Sequence, residues 1–534
     1  MKYPIGIQDF ESIRKGGYVY VDKTAQVYSL AHEGKVYFLG RPRRFGKSLL
    51  ISTLEYYYQG RRDLFEGLAI ESLETEWLSY PVFHIDFGQG SYERPDALEQ
   101  ILGMYLSGWE ERYHVDNRFL GDNFGLRLGR LLEAVHSQCG LPAVVLIDEY
   151  DKPLLDVMDA DIHVERSGER ISLEQYNRET LRGLYTTFKA ADRHLQFVML
   201  TGVTKFSQVS MFSGFNQPRD ISMSVRYDTI CGITGDEMQS YFQEPISEMA
   251  VHYRCTPAEM VDRLRRQYDG YHFSDMLRGV YNPFSLLNAF KNLRMQDYWF
   301  RTGTPTYLVR LLNHFDENMD ELTGRYYLQE QFVDYKADVE RPLPMIYQSG
   351  YLTIKDFDYE SDTFMLDFPN DEVKRGFVAM LANSYLKPKG MTDNWVIEAA
   401  NNLRRGELEQ FHQGLSSFLA SIPYTMRRKE DERERERYFH YTFYLLLRLL
   451  STFLVYTEKV QSQGRVDCVI ETREYVYIFE FKLDGTAAEA LSQIEEKGYA
   501  REYAQDARRL YRIGCSFSSE TGTISDWLVD EDGQ

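Results

Sequence analysis

Cysteine is scarce and scattered. Five thiols (Cys139, Cys231, Cys255, Cys468, Cys515) serve 534 residues, with no CxxC pair. This pattern excludes a disulfide scaffold and a Cys-ligated zinc site, and implies reduced thiols. Basic charge is also in deficit, with a formal net charge of -20. A surface coated in Lys and Arg to hold nucleic acid would have the opposite sign, so any such contact needs a local basic groove in an acidic body. Long apolar runs are missing. The opening MKYPIGIQDF has no signal-peptide core, and the greasiest stretch, residues 441–456, is interrupted by Arg448 and falls short of a bilayer span. That stretch is expected to be a buried helix running into a strand, and the protein to be cytoplasmic and away from membranes. No internal repeat and no Pro- or Gly-rich linker marks a domain border.

The composition is otherwise that of a globular chain, with 43% hydrophobic and 27% charged residues. At roughly 150 residues per domain, three to four domains are expected. Up to about residue 235, four short apolar runs alternate with helical stretches: 36–40, 81–87, 143–149 and 196–202. Strands spaced by helices predict a parallel sheet with crossover helices over 1–235. Residues 236–430 are mainly helical in pattern, with strand candidates such as SGYLTIKDF (349–357). In 427–438 eleven of twelve residues are charged, which predicts a solvated helix or hinge. Residues 431–534 complete the chain as a small α/β domain.

The sequence VYFLGRPRRFGKSLLISTL (36–54) runs from an apolar strand through a basic loop to Gly46-Lys47-Ser48 and a helix. Backbone N–H groups at a helix start can cradle phosphate, a lysine reaches the β- and γ-phosphates, and a hydroxyl holds Mg²⁺. Lys47 and Ser48 suit those roles, Arg41, Arg44 and Gly46 are further candidate nucleotide contacts, and Arg41, Arg43 and Arg44 add positive charge. The usual first glycine position holds Arg41, and Gly40 falls one residue early. An exposed basic turn is the plainer alternative. PAVVLIDEYD (142–151) weighs against it: a buried strand ends in Asp148, placed to hold Mg²⁺, and Glu149, placed to polarise the attacking water. Thr201, at the end of QFVMLTG, and Thr204, just beyond it, are candidates to sit between nucleotide and water, or to cap a helix. Arg219 is a candidate arginine finger.

These blocks resemble a bacterial family of AAA-ATPase-like proteins. Its leader (3–24), RPRRFGKS (41–48), IDEYD (147–151) and LTGVTKFS (200–207) stand here in order, followed by YDGYHF (268–273), YNPFSLL (281–287), SGYLTI (349–354) and LDFPNDEV (366–373). The degenerate first glycine belongs to that family's own pattern. The resemblance implies a P-loop NTPase sheet binding ATP and Mg²⁺, and often a C-terminal PD-(D/E)xK domain with a restriction-endonuclease-like α/β fold.

Residues 464–485, GRVDCVIETREYVYIFEFKLDG, look like that domain. Two short strands joined by a two-residue Arg473-Glu474 loop would set Asp467 opposite Glu480, with Cβ atoms roughly 5 Å apart. Facing carboxylates repel unless a cation takes oxygen from each. Lys482 projects from the same face and could orient water at a Mg²⁺- or Mn²⁺-polarised phosphate. On the helix that follows, Gln493 and Lys497 share a face, and the resemblance implies that they contact phosphate. Glu434, Glu436 and Glu458 are candidates for a further carboxylate, and sequence does not choose among them. The reading is an ATPase coupled to a Mg²⁺-dependent nuclease acting on DNA or RNA. The alternative is an ATP-driven binding switch or assembly factor that does not cleave. A homo-oligomer is an expected partner state.

Overall fold

The computed structural model describes residues 1–158, 160–166, 168–205, 218–303, 322–333, 342–386, 392–421, 468–504, 506–518, 520–521 and 523–531. The charged run 427–438, the apolar stretch 441–456, Asp467, Glu434, Glu436 and Glu458 lie outside these residues. The chain forms two compact units, Met1–Val373 and Lys374–Gln534.

In the first unit, apolar runs become strands because both faces are covered by helices. β1 is Val36–Gly40, β2 Val82–Asp86 and β3 Ala143–Asp148, the last buried along its whole length. A hairpin of β4 (His163–Arg166) and β5 (Glu169–Ser172) precedes β6 (Leu195–Gly202) and the two-residue β7 (Arg219–Asp220). The order β2-β3-β6-β1-β7 is parallel throughout. Crossovers are made by helices, among them Lys47–Tyr58, Ala97–Arg112, Phe124–Cys139 and Leu173–Ala190. Asn123 and Ser172 cap two of these, each accepting a backbone N–H with its side chain. The register sets Asp86 beside Asp148 and Gly40 beside Gly202 at the carboxyl edge, where α/β sheets bind ligands.

Residues 235–292 add a helical layer around Met238, Phe242, Met249, Met260, Leu264 and Leu286, and the leader residues Tyr3, Ile5, Val19 and Val21 pack on it. Its short strands β8 (Ile233–Thr234) and β9 (Val280–Tyr281) pair antiparallel. β10 (Arg325–Tyr327), β11 (Thr353–Asp358) and β12 (Thr363–Asp367) form a separate sheet in the order β10-β12-β11. The described residues between 236 and 373 therefore belong to the same compact unit as the parallel sheet.

The second unit holds β13 (Cys468–Glu471), β14 (Tyr475–Leu483), β15 (Arg509–Phe517) and β16 (Ile524–Glu531), in that order. β14 and β15 run parallel, joined through the helix Ala487–Lys497, while the outer pairs are antiparallel. Alternation along β14 divides the sheet. Tyr477 and Phe479 meet the layer of helices Thr392–Arg405 and Leu408–Ser421, where Tyr477 donates to the Leu403 carbonyl at 2.6 Å and Phe411 packs on Phe479. Val476 and Ile478 pack with Ile494 of the crossover helix. Among the described residues no helix is long and apolar enough to cross a membrane.

Candidate active site

The phosphate loop turns where two residues take the left-handed region, Arg44 at φ 68° and Gly46 at φ 95°. Gly46 has no side chain to strain there, and it starts the helix Lys47–Tyr58 without a side-chain cap. The first-turn N–H groups of that helix thus have no side-chain acceptor. Lys47 is buried and donates to the Arg41 and Pro42 carbonyls at 3.0 and 3.2 Å.

The loop is braced by blocks far away in sequence. Phe45 meets the edges of Tyr271 and Phe273, with centroids 4.7 and 5.6 Å away. Trp299 Nε1 donates to the Arg43 carbonyl at 3.0 Å. Gly350, at φ 88°, lies so close to Pro42 that a Cβ there would come within 2.6 Å of the ring. The family-type blocks YDGYHF and SGYLTI thereby acquire a physical role, which is to hold the loop's shape.

Lys47, Ser48, Arg43, Arg44, Glu149 and Lys152 line one cleft of about 380 Å³, whose opposite wall is the leader segment 4–8. Below it Asp148 is buried at the end of β3. Its Oδ1 accepts the Thr201 hydroxyl at 2.5 Å and the Glu149 N–H at 3.1 Å. Glu149 has φ 51°, an uncommon conformation for a residue with a side chain. Burial pushes its carboxyl above the usual range. The charges of Lys47 and Arg43 oppose that shift, and those of Asp148 and Asp86 reinforce it. Ser48 and Asp148 offer hard oxygen donors, the kind Mg²⁺ takes.

Three expected nucleotide contacts are placed elsewhere. Arg41 is buried, not in the cleft. Its guanidinium donates to the carbonyls of Gly40, Ser222 and Tyr227 and lies 4.0 Å from the Phe273 ring centre, so it is engaged in holding the loop. Thr204 is buried with its hydroxyl on Met345 Sδ at 3.6 Å. Arg219 is exposed on edge strand β7, in register with Tyr37 and not with the end of β1, and does not line the cleft.

Sequence reasoning passed over Asp86 and Asp151. Asp86 ends β2 beside Asp148, and a Cβ on Gly88 would lie 2.8 Å from Asp86 Oδ1 and 3.1 Å from Glu149 Oε2, so the two carboxylates converge there. The clue was an acid at the end of a second strand. Asp151 Oδ2 accepts the Val203 and Thr204 N–H groups at 2.9 and 2.6 Å, fastening the turn after β6.

A second, apolar pocket of about 110 Å³ adjoins the cleft. It shares Pro4, Gly46, Leu49, Pro283 and Leu287 with it and continues to Val21, Leu50 and Ile230.

In the second unit the β13–β14 turn has the expected two-residue loop, with Cys468 opposite Phe479 and Glu471 opposite Val476. No Gly or Asn is needed because the Thr472 hydroxyl accepts the N–H groups of Tyr475 and Glu474, at 2.9 and 3.4 Å. Glu480 is buried and accepts from Gln493 Nε2, while Gln493 Oε1 accepts from Lys482 Nζ at 2.5 Å. Glu480, Lys482 and Gln493 thus form one chain of contacts. Lys497 is exposed one turn further along the helix. Among the described residues no three His, Cys, Asp or Glu side chains form a metal cluster.

Two sequence profiles match the chain. One, described as a predicted AAA-ATPase, covers residues 4–212, and one for the PD-(D/E)XK nuclease superfamily covers residues 434–527. A protein of Azotobacter chroococcum mcd 1, described as an uncharacterized protein in the vnfD 5'region, is 33% identical over 545 residues, which takes in 100% of this chain and 99% of that protein.

Proposed function

The chain belongs to the predicted AAA-ATPase family and carries a C-terminal domain of the PD-(D/E)XK nuclease superfamily, and from that premise we propose that it binds and hydrolyses ATP in the cleft around Lys47 and couples this to a divalent-cation site acting on nucleic-acid phosphodiesters. The observation that carries the first half is the convergence of Lys47, Ser48 and Glu149 on one cleft above Asp148.

Lys47 and the uncapped helix start take the triphosphate. Ser48 and Asp148 hold Mg²⁺, which when bound neutralises phosphate charge. Glu149 orients the attacking water and accepts its proton. The nucleobase enters the adjoining pocket, which shares five lining residues with the cleft and is mostly apolar.

In the second unit the β13–β14 register supports Asp467 facing Glu480 across one further residue pair. The two carboxylates hold Mg²⁺ or Mn²⁺, Lys482 orients water, and Gln493 and Lys497 face the phosphate. The net charge of -20 favours one rival, a switch that binds a partner without cutting.

Titrating wild type, Lys47→Ala and Glu149→Gln with ATP, and following phosphate release, tests the ATPase half. Lys47→Ala should weaken ATP at least about tenfold through loss of a charge-assisted phosphate contact. Glu149→Gln should bind ATP as wild type does and turn over slowly. Undiminished ATP binding by a folded Lys47→Ala chain sinks the assignment. Incubation with linear, circular and single-stranded nucleic acids, with and without Mg²⁺ and ATP, separates cleavage from the switch.

A further inference from the structure

We propose that Arg43, carried by the phosphate loop itself, is a catalytic residue that contacts the γ-phosphate from within the same chain, so that ATP hydrolysis needs no arginine from a neighbouring copy. The proposal rests on the ATPase reading and adds to it the group that meets the developing charge.

Elimination among the cleft's cations leads to Arg43. The loop offers three arginines. Arg41 is buried beneath it, with its guanidinium occupied by three carbonyls. Arg44 lies over the Phe284 ring, 5.2 Å from its centre. Lys152 is bound to both oxygens of Asp156, at 2.8 and 2.6 Å. Lys47 serves the phosphates that ground-state binding requires. Arg43 remains: its side chain is exposed, lines the cleft with Lys47, Ser48 and Glu149, and makes no hydrogen bond or ion pair among the described residues. Its backbone is nonetheless fixed, because Trp299 Nε1 holds its carbonyl and Phe45 and Pro42 anchor the loop nearby. A long cationic side chain on a rigid base, with no partner of its own, suits a ligand that brings the anion.

Its neighbour is the right one for turnover. Glu149 lines the same cleft as Arg43, and among the described residues no ion pair joins them. In this proposal the two residues flank the attacking water. In the step, the water oxygen bonds to Pγ as the bond from Pγ to the β,γ-bridging oxygen breaks. ADP leaves with that bond's electron pair, and the water proton passes to Glu149. Negative charge spreads over the γ-oxygens meanwhile, and a guanidinium can donate to two of them at once. Groups with this task are worth about three to five orders of magnitude in turnover. Arg219, on an edge strand away from the cleft, would have to act from another copy.

The test compares wild type with Arg43→Ala and Arg43→Lys for ATP affinity, for steady-state turnover, and for turnover per chain over a wide dilution range. A thermal melt confirms folding. The expected result is ATP affinity within about threefold of wild type and turnover lowered by about three orders of magnitude or more in Arg43→Ala. Arg43→Lys should be intermediate, because it keeps the charge and loses the fork. Wild-type turnover per chain should not change on dilution. Three outcomes overturn the proposal: wild-type turnover in Arg43→Ala, loss of ATP binding as deep as that of Lys47→Ala, or turnover that falls on dilution and disappears in Arg219→Ala. A wild-type chain that binds ATP and never hydrolyses it also overturns the proposal. One that binds no ATP defeats the underlying ATPase reading instead.

Discussion

The Thr201 hydroxyl donates to Asp148 Oδ1 at 2.5 Å, tying the end of β6 to the end of β3 inside the sheet. Asp148 accepts a second bond at the same oxygen from the Glu149 N–H, so one carboxylate oxygen is held from both sides and the carboxylate's orientation is set before any cation arrives. Partners of metal-holding groups tune affinity by about 10–100-fold. Thr201→Val keeps the side chain's shape and removes the donor. It should raise the Mg²⁺ concentration for half-maximal ATP turnover by about tenfold, leave ATP binding without Mg²⁺ unchanged, and cost about 1–2 kcal/mol of stability. A Mg²⁺ titration of turnover that overlays wild type would show that the hydroxyl only fills space.

The base pocket makes a separate prediction, because it divides ATP from its phosphates. Val21→Trp would fill the pocket that Leu50 and Ile230 also line, and Val21 does not line the cleft that holds Lys47 and Ser48. ATP should bind at least about tenfold more weakly, a loss of about 1.4 kcal/mol. Inorganic tripolyphosphate should bind as it does to wild type. Val21 is half-buried, so the larger ring there is compatible with folding, which a thermal melt checks. Equal weakening of both ligands would place the damage in the phosphate loop, and no weakening of either would place the base elsewhere.

What was legible in the sequence follows the range of the interactions. The four apolar runs became β1, β2, β3 and β6 because burial on both faces writes itself as a continuous hydrophobic run. Lys47 and Ser48 are placed by local strand–loop–helix geometry, whereas Glu149 reaches the same cleft from the end of β3, two strands from β1. Glu480, Lys482 and Gln493 came together through period-two alternation and one crossover helix. Arg41 was read as a phosphate ligand, since a basic residue in a basic loop carries no mark of burial. Its carbonyl partners at 222 and 227 lie beyond any local pattern. Thr204 was misplaced for the same reason: its neighbour Met345 is 141 residues away. Asp86 was missed because one acid at a strand end is common, and only the register beside Asp148 gives it meaning.

Asp151 gives the first unit a pH dependence of known sign. Burial raises its carboxyl from the ordinary range to about 6, against the pull of the Thr204 N–H. The folded state therefore holds the proton more tightly than the unfolded chain. The stability this contributes is fully present below pH 4 and is lost as pH rises through about 6. Asp151→Asn does not titrate. The stability of wild type minus that of the variant should fall by about 2–3 kcal/mol between pH 4 and pH 7 and then level off. Urea unfolding of both proteins across that range measures it, and a difference that stays flat with pH would mean that Asp151 is not protonated in the fold.

In the second unit the order Lys482–Gln493–Glu480 separates the work of a cation from that of a lysine. Gln493 bridges the two, accepting from Lys482 at 2.5 Å and donating to the buried Glu480. If Asp467 faces Glu480, as the β13–β14 register supports, the carboxylate pair is destabilising without a cation or a proton between its members. Calorimetric titration of the full chain with Mn²⁺, beside a nucleic-acid cleavage assay, then sorts the variants. Asp467→Ala should lose both metal binding and cutting. Lys482→Ala should keep Mn²⁺ within a few-fold and lose cutting, because its ammonium serves water and phosphate and not the metal. The chain has a second expected cation site at Ser48 and Asp148, so the titration should be run on an Asp148→Asn background without nucleotide, where that site lacks its carboxylate. Mn²⁺ binding by Asp467→Ala equal to that of the parent would leave the hairpin as scaffold alone. Normal metal binding with no cleavage of any nucleic acid would move the second unit to the role of a cation-dependent binding module, with Lys482 and Gln493 holding a phosphate that is never cut.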